Sequence, residues 1–200
     1  MELRLLGPPD ARPAVLTPDE AARHAAFGHA DRRLGFVLGR TAARGLLAER
    51  LGCAPEAVPL VVAAGGAPDV PRSDVWVSIA HTGRGEAVRG GAAIADRKVG
   101  LDLELVRPRR PDLWRRLLRP DEDGVLDAVG GPSDSGQTAL WTLKEAVLKA
   151  RGTGFRAGAR SVRLVGLDDG DGEAVDDDGG RWRVRYERRG DLWVAVALAA

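Results

Sequence analysis

The chain has 200 residues, with 30 Lys and Arg against 29 Asp and Glu, one Cys and nine aromatic residues. That length suits one domain or a pair of small lobes, and 44% hydrophobic residues can fill a core despite 30% charge, which excludes global disorder. A formal net charge of +1 excludes a whole-molecule attraction to nucleic acid or to a membrane surface. The apolar run Ala57 to Pro68 is shorter than the ~20 residues of a spanning helix and is broken by Gly and Pro, so no membrane segment is expected.

Glu2 to Leu6 alternates as a short strand, and its charges leave no signal-peptide pattern at the start. Thr17-Pro18-Asp19-Glu20 reads as a helix start, with Thr17 as N-cap and Pro at the first helical position. A longer helix is predicted from about Asp31 to Leu51, stopped by Gly52, with Arg32, Arg33, Arg40 and Arg44 making one side basic. The single Cys53 after it cannot form an internal disulfide, which fits a reducing cytoplasm. Strands are predicted at Val58 to Val62, Val75 to Ile79, Glu86 to Ile94 and Val99 to Leu105. Leu113 to Leu118 and Glu122 to Val129 read as short helices, Gly130 to Gly136 as a loop and Thr138 to Ala150 as a clear helix. Ser161 to Leu167, Arg181 to Glu187 and Leu192 to Leu198 complete a β-meander. The acidic run Asp168 to Asp178 fails the register of an EF-hand loop and reads as a solvated hairpin loop. The order of helices and strands repeats, which predicts an α+β protein of two lobes, 1–97 and 98–200.

Two segments carry chemistry. In Val99-Gly100-Leu101-Asp102-Leu103-Glu104-Leu105, strand alternation puts Asp102 and Glu104 on one face, with Gly100 beside them leaving room for something bulky. The bland reading is a half-buried strand with a wet acidic face. The other is a pair of carboxylates sharing a hard cation such as Mg²⁺ with substrate phosphates. In the helix Leu140 to Lys149, Lys144 falls in the middle of an apolar arc, where it must snorkel out or meet an anion. Glu145 and Lys149 lie four apart, as a surface ion pair or as a metal or proton ligand beside a phosphate-binding ammonium. Of 30 basic residues only Lys98, Lys144 and Lys149 are Lys, so two of the three lysines share this helix. Carboxylates, a divalent cation and lysines together describe phosphoryl transfer, and no Walker loop is present.

Gly100-Leu101-Asp102-Leu103-Glu104, followed about forty residues later by Trp141-Thr142-Leu143-Lys144-Glu145-Ala146-Val147-Leu148-Lys149, resembles the paired G-x-D-x-E and W-x-x-K-E-x-x-x-K signature of Sfp-type 4′-phosphopantetheinyl transferases. Thr17 to Glu20, Gly39-Arg40 with Arg44, Gly66-Ala67-Pro68, Ser78 to Thr82 and Gly152-Thr153-Gly154-Phe155 resemble further family segments. The resemblance implies a monomer of two similar α+β lobes related by a pseudo-two-fold, with coenzyme A between them. It also implies transfer of 4′-phosphopantetheine to a serine hydroxyl of an apo acyl or peptidyl carrier protein, with release of 3′,5′-ADP, in fatty-acid, polyketide or nonribosomal-peptide biosynthesis.

Carried over by resemblance, Asp102, Glu104 and Glu145 are the Mg²⁺ ligands. Glu145, directly or through a metal-bound water near Asp102, takes the serine proton. Lys149 stabilises or protonates the leaving phosphate, and Lys144 contacts the diphosphate. Arg32 and Arg40 match positions near the nucleotide phosphates, and His81 matches a histidine at the 3′-phosphate region, with Arg23 and Arg44 as further additions. The sequence departs from the pattern at Ala67, where a Lys is usual, at Ala80, where a Ser is usual, and at Phe36, where some members carry a polar residue. Those departures motivate an alternative, a coenzyme A or carrier-protein binding module without chemistry. An arginine-rich nucleic-acid binder is disfavoured by the neutral charge and few aromatics.

Overall fold

The structure, a computed structural model, describes residues 1–63, 65–108, 112, 117–154 and 158–200, with residue 123 described in its backbone only. It divides into two compact units, Met1–Arg97 and Lys98–Ala200. Each combines helix with antiparallel sheet, so the fold class is α+β.

In the first unit β1 (Glu2–Leu6) is followed by α1 (Pro18–Ala25) and α2 (Ala30–Leu51). Thr17 caps α1 as its sequence requires: its hydroxyl accepts from the Glu20 amide while the Glu20 carboxylate accepts from the Thr17 amide at 3.0 Å. Gly52 ends α2 in the left-handed conformation, φ 67°. The short hairpin β2 (Val61–Val62) and β3 (Pro68–Asp69) precedes β4 (Trp76–Thr82) and β5 (Arg89–Ala95). The sheet order is β1-β5-β4, and α2 packs Leu46, Leu47, Ala42 and Ala43 against Val77, Ala92 and Ile94.

The second unit contains β6 (Val99–Leu105), α3 (Asp123–Ala128), α4 (Asp134–Arg151), β7 (Val162–Asp168), β8 (Asp171–Asp176), β9 (Arg181–Arg189) and β10 (Leu192–Ala199). Its five strands lie in the order β6-β10-β9-β8-β7. Leu140, Leu143, Val147 and Leu148 of α4 are all fully buried, in one core with Val162, Leu164, Trp182, Val184 and Ala195.

Several expectations need correcting. The strand expected over Val58 to Val62 pairs only at Val61–Val62, because Pro55–Ala57 makes a 3-10 turn and Val58 and Leu60 turn into the core instead. The loop expected at Gly130 to Gly136 ends early: Ser133 accepts from the Gly136 amide at 3.1 Å and starts α4 at Asp134. The acidic run is not a loop throughout, since Asp171–Asp176 forms β8 after a turn at Asp169-Gly170. Its inner positions, Gly172, Ala174 and Asp176, lack the apolar signal of a strand. Its outer acids pair across to β9, with Arg181 3.1 Å from Glu173 and Arg185 3.0 Å from Asp171. The helix expected at Leu113 to Leu118 falls largely outside the described residues, as does Phe155 of the Gly152 to Phe155 segment.

Gly100 also has a different role from the one expected. A Cβ there would lie 1.9 Å from the Ala146 carbonyl oxygen and 2.5 Å from the Ala150 amide nitrogen. Gly100 makes room for the α4 backbone, not for a ligand. Gly100→Ala is therefore expected to destabilise the protein by about 1–3 kcal/mol, since backbone cannot yield as a flexible side chain would. Gly124→Ala, inside α3 with nothing within 4 Å, should be neutral or stabilising. Chemical denaturation of the two variants checks the contrast.

Candidate active site

The Gly100 contact places one turn after another of α4 over the acidic face of β6. Asp102, expected on a wet face, is only 6% exposed, and Glu145 of α4 only 7%. Lys149, one turn beyond Glu145, does not make the i,i+4 pair of a solvated helix. Its ammonium donates to Asp102 Oδ1 at 2.7 Å and to the Leu101 carbonyl at 3.0 Å. At the other end of the face the Trp141 indole N–H donates to Glu104 Oε1 at 3.2 Å, and Arg107 lies 3.8 Å from Glu104 Oε2. Asp102, Glu104, Glu145 and Lys149 are thus neighbours.

Two oxygens in this cluster are unsatisfied: Asp102 Oδ2 and Glu145 Oε1 are buried without a hydrogen-bond partner. Burial pushes the Glu145 carboxyl up to about 7, helped by the nearby Asp102 charge and opposed by Lys149. Burial also pushes Asp102 up to about 6, against the pull of the Lys149 ammonium. Orphaned carboxylate oxygens with raised proton affinity suit a hard cation, which would satisfy both. Among the described residues, however, no group of three or more His, Cys, Asp or Glu side chains is drawn together to hold a metal ion. Lys149 occupies one Asp102 oxygen, and Trp141 holds one of Glu104.

Lys144 was expected at a diphosphate and must be reassigned. It is fully buried, and its ammonium gives its three donors to the Leu117 carbonyl at 2.8 Å, Glu122 Oε2 at 2.6 Å and the Val162 carbonyl at 3.0 Å. Burial lowers its pKa, opposed by Glu122. Glu122 in turn accepts from the Leu164 amide at 2.8 Å and the Arg119 amide at 2.9 Å, so the pair ties α4 to β7 and to the segment before α3. The apolar surroundings of Lys144 signalled that it needs an anion, but no spacing rule identifies a partner 22 residues away.

The first unit holds the remaining expected residues. Arg40, only 7% exposed, has its Nε 3.0 Å from Glu20 Oε1, and burial lowers its pKa. Arg44 is fully buried, donating to the Val58 carbonyl at 2.8 Å and to Glu20 Oε2 at 3.0 Å. Arg44 is therefore a structural cation that joins α1 to α2, and Arg40 has an internal ion pair that its motif did not foretell. Arg32 is exposed, with its guanidinium 4.7 Å from the Phe27 ring centroid. His81 is exposed at the end of β4 and lies over Gly35, whose Cβ would stand 3.0 Å from the imidazole Nδ1. Gly35 follows Arg32 by one turn of α2, so Arg32 and His81 share a locality.

Two outcomes follow from these burials. Lys144→Met should cost about 3–5 kcal/mol by leaving Glu122 as an uncompensated buried charge, visible in denaturant unfolding, whereas a diphosphate-contacting lysine would leave stability unchanged. For Glu145 the sign is set by its raised pKa. The folded state binds that proton more tightly than the unfolded chain, so without a cation the residue lowers stability increasingly as pH rises from about 4 to about 7. The stability gained by Glu145→Gln should therefore be small near pH 5 and largest near pH 8. Added Mg²⁺ should raise the thermal midpoint of the wild type more at pH 8 than at pH 5, because protons compete with the cation for the same oxygens.

Residues 98–197 match the model of the 4′-phosphopantetheinyl transferase superfamily, and residues 19–88 match that of the 4′-phosphopantetheinyl transferase N-terminal domain. A relative from Synechocystis sp. is 29% identical over 155 residues, 74% of this chain and 62% of the relative. The 4′-phosphopantetheinyl transferase of Bacillus subtilis is 25% identical over 166 residues, 82% of this chain and 72% of that protein. The 4′-phosphopantetheinyl transferase HetI of Nostoc sp. is 31% identical over 151 residues, 71% of this chain and 62% of that protein. The chain thus spans between 62% and 72% of the length of these relatives. The crystal structure of holo-[acyl-carrier-protein] synthase from Neisseria meningitidis aligns with 52% of this chain and 97% of its own, at 22% identity and a TM-score of 0.41. With half of its length matched by the superfamily model and most of the rest by the N-terminal domain model, the chain belongs to the 4′-phosphopantetheinyl transferase superfamily.

Proposed function

We propose that this chain transfers the 4′-phosphopantetheine group of coenzyme A to a serine hydroxyl of an apo acyl or peptidyl carrier protein, with release of 3′,5′-ADP. The observation that carries this reading is the cluster of the buried acids Asp102 and Glu145 with the half-buried Glu104 and Lys149, in which two carboxylate oxygens are left unsatisfied. Asp102, Glu104 and Glu145 would hold Mg²⁺, which when bound supplies positive charge to the diphosphate oxygens.

The rest of the chemistry belongs to the side chains. The serine oxygen attacks the phosphorus that carries pantetheine, and the bond from that phosphorus to the oxygen of 3′,5′-ADP breaks. Glu145, with a proton affinity raised toward neutrality by burial, accepts the serine proton. Lys149 donates to the oxygen on which negative charge accumulates as the nucleotide departs. Arg32 and His81 are proposed for the nucleotide phosphates, each within the first unit. Lys144 takes no part in this scheme, because none of its donors remains.

Incubation with Mg²⁺, coenzyme A and an apo carrier protein should add one phosphopantetheine to the carrier serine, read by mass spectrometry. Glu145→Gln and Asp102→Asn should each lower turnover by about 10²–10⁴-fold while circular dichroism is unchanged. Full activity in either variant would overturn these assignments. Ala67 and Ala80, which lack the usual amine and hydroxyl, favour one competing reading, a binding module. Retained coenzyme A binding with no transfer to any carrier class would select it.

A further inference from the structure

The carboxylate cluster contains a cation of its own, the Lys149 ammonium. Lys149 lies between solvent, with 29% of its side chain exposed, and a carboxylate that is nearly buried. Its ammonium sits 2.7 Å from Asp102 Oδ1, while Asp102 Oδ2 and Glu145 Oε1 beside it have no partner. One ammonium cannot satisfy three carboxylates, and its remaining contact is a backbone carbonyl, Leu101, at 3.0 Å. A divalent cation on the free oxygen of Asp102 would place a second positive charge on the same small carboxylate. Across the buried Asp102 carboxylate the repulsion between the two is less screened than it would be in water.

From this geometry we propose that Lys149 is the resident counter-ion of the carboxylate cluster and competes with the divalent cation for Asp102, so that loading the cluster releases the ammonium to bind a phosphate. The inference rests on the proposed function for the identity of the cation and the phosphate, and it adds an order of events. The flexible four-carbon stem and partial exposure give the ammonium a way out that the buried Lys144, five positions earlier and held by three acceptors, does not have. One side chain then serves two states. It limits carboxylate repulsion before loading and becomes available to the diphosphate only when the cation is in place, which disfavours binding of coenzyme A to an unloaded site.

The scarcity of lysine makes the test clean. The chain has three lysines: Lys98 is exposed, Lys144 is buried and Lys149 is the residue in question. Wild-type protein is acetylated briefly with an N-hydroxysuccinimide ester, with and without Mn²⁺ or Mg²⁺, and the labelling of Lys149 is normalised to Lys98 by peptide mass spectrometry. Binding of Mn²⁺ is measured in parallel by calorimetry. Lys149 should label slowly without the cation and several-fold faster at saturation, with Lys98 unchanged. Mn²⁺ binding with Lys149 labelling unchanged or reduced would overturn the exchange while leaving the metal assignment intact. Absence of Mn²⁺ binding would overturn both. The variant Lys149→Gln should bind Mn²⁺ several-fold more tightly than wild type, and equal or weaker binding would also contradict the competition.

Discussion

The close approach of helix α4 to strand β6 at Gly100 is the contact on which the site depends. With the Ala146 carbonyl and the Ala150 amide occupying the space of a missing side chain, the helix lies directly on the strand. Period-2 and period-3.6 geometries then do the rest. Residues 102 and 104 rise from the strand toward the helix, and residues 141, 145 and 149, one turn apart, descend to meet them. The first unit uses the same device, where a Cβ at Gly39 would stand 2.5 Å from Ile79 Cγ2 and one at Gly35 would meet the His81 ring. In both units the tight seam between helix and strand carries residues that the proposed function places at a ligand.

The cluster so formed conflicts with the folding physics that surrounds it. Three carboxylates share a poorly solvated seam with one lysine, two of their oxygens are orphaned, and two of the acids are driven toward neutrality by burial. Lys144 shows what a purely structural buried ion looks like in the same helix: an opposite charge at 2.6 Å, two carbonyls and no donor left over. The contrast separates a satisfied network from an unsatisfied one, and unsatisfied networks of perturbed acids are where chemistry is to be sought.

Much of this was legible in the sequence. Thr17, Gly52 and the alternation from Val99 to Leu105 determined two helix ends and one strand correctly, because caps and strand periodicity are local properties. The acids and Lys149 were named from a paired motif, and their convergence needed only the assumption that the helix covers the strand. What escaped was non-local. Gly100 reads as open space until the helix backbone is seen above it. Lys144 looks like a phosphate ligand until Glu122 supplies the anion, and Arg44 looks like part of a basic surface until Glu20, Pro55 and Val58 surround it. Strand β8 was hidden because its inner positions are Gly172, Ala174 and Asp176, the last accepting from the Trp182 indole at 2.9 Å where an apolar side chain would ordinarily sit.

In the proposed function the seam of β6 and α4 binds a divalent cation against the diphosphate of coenzyme A. Phosphorus NMR of coenzyme A with Mn²⁺ and the protein tests it directly. The two diphosphate resonances should broaden more than the 3′-phosphate resonance, through paramagnetic relaxation by an ion held beside them, and the selectivity should vanish with Asp102→Asn. Equal broadening of all three phosphates, or selectivity that survives in Asp102→Asn, would contradict it.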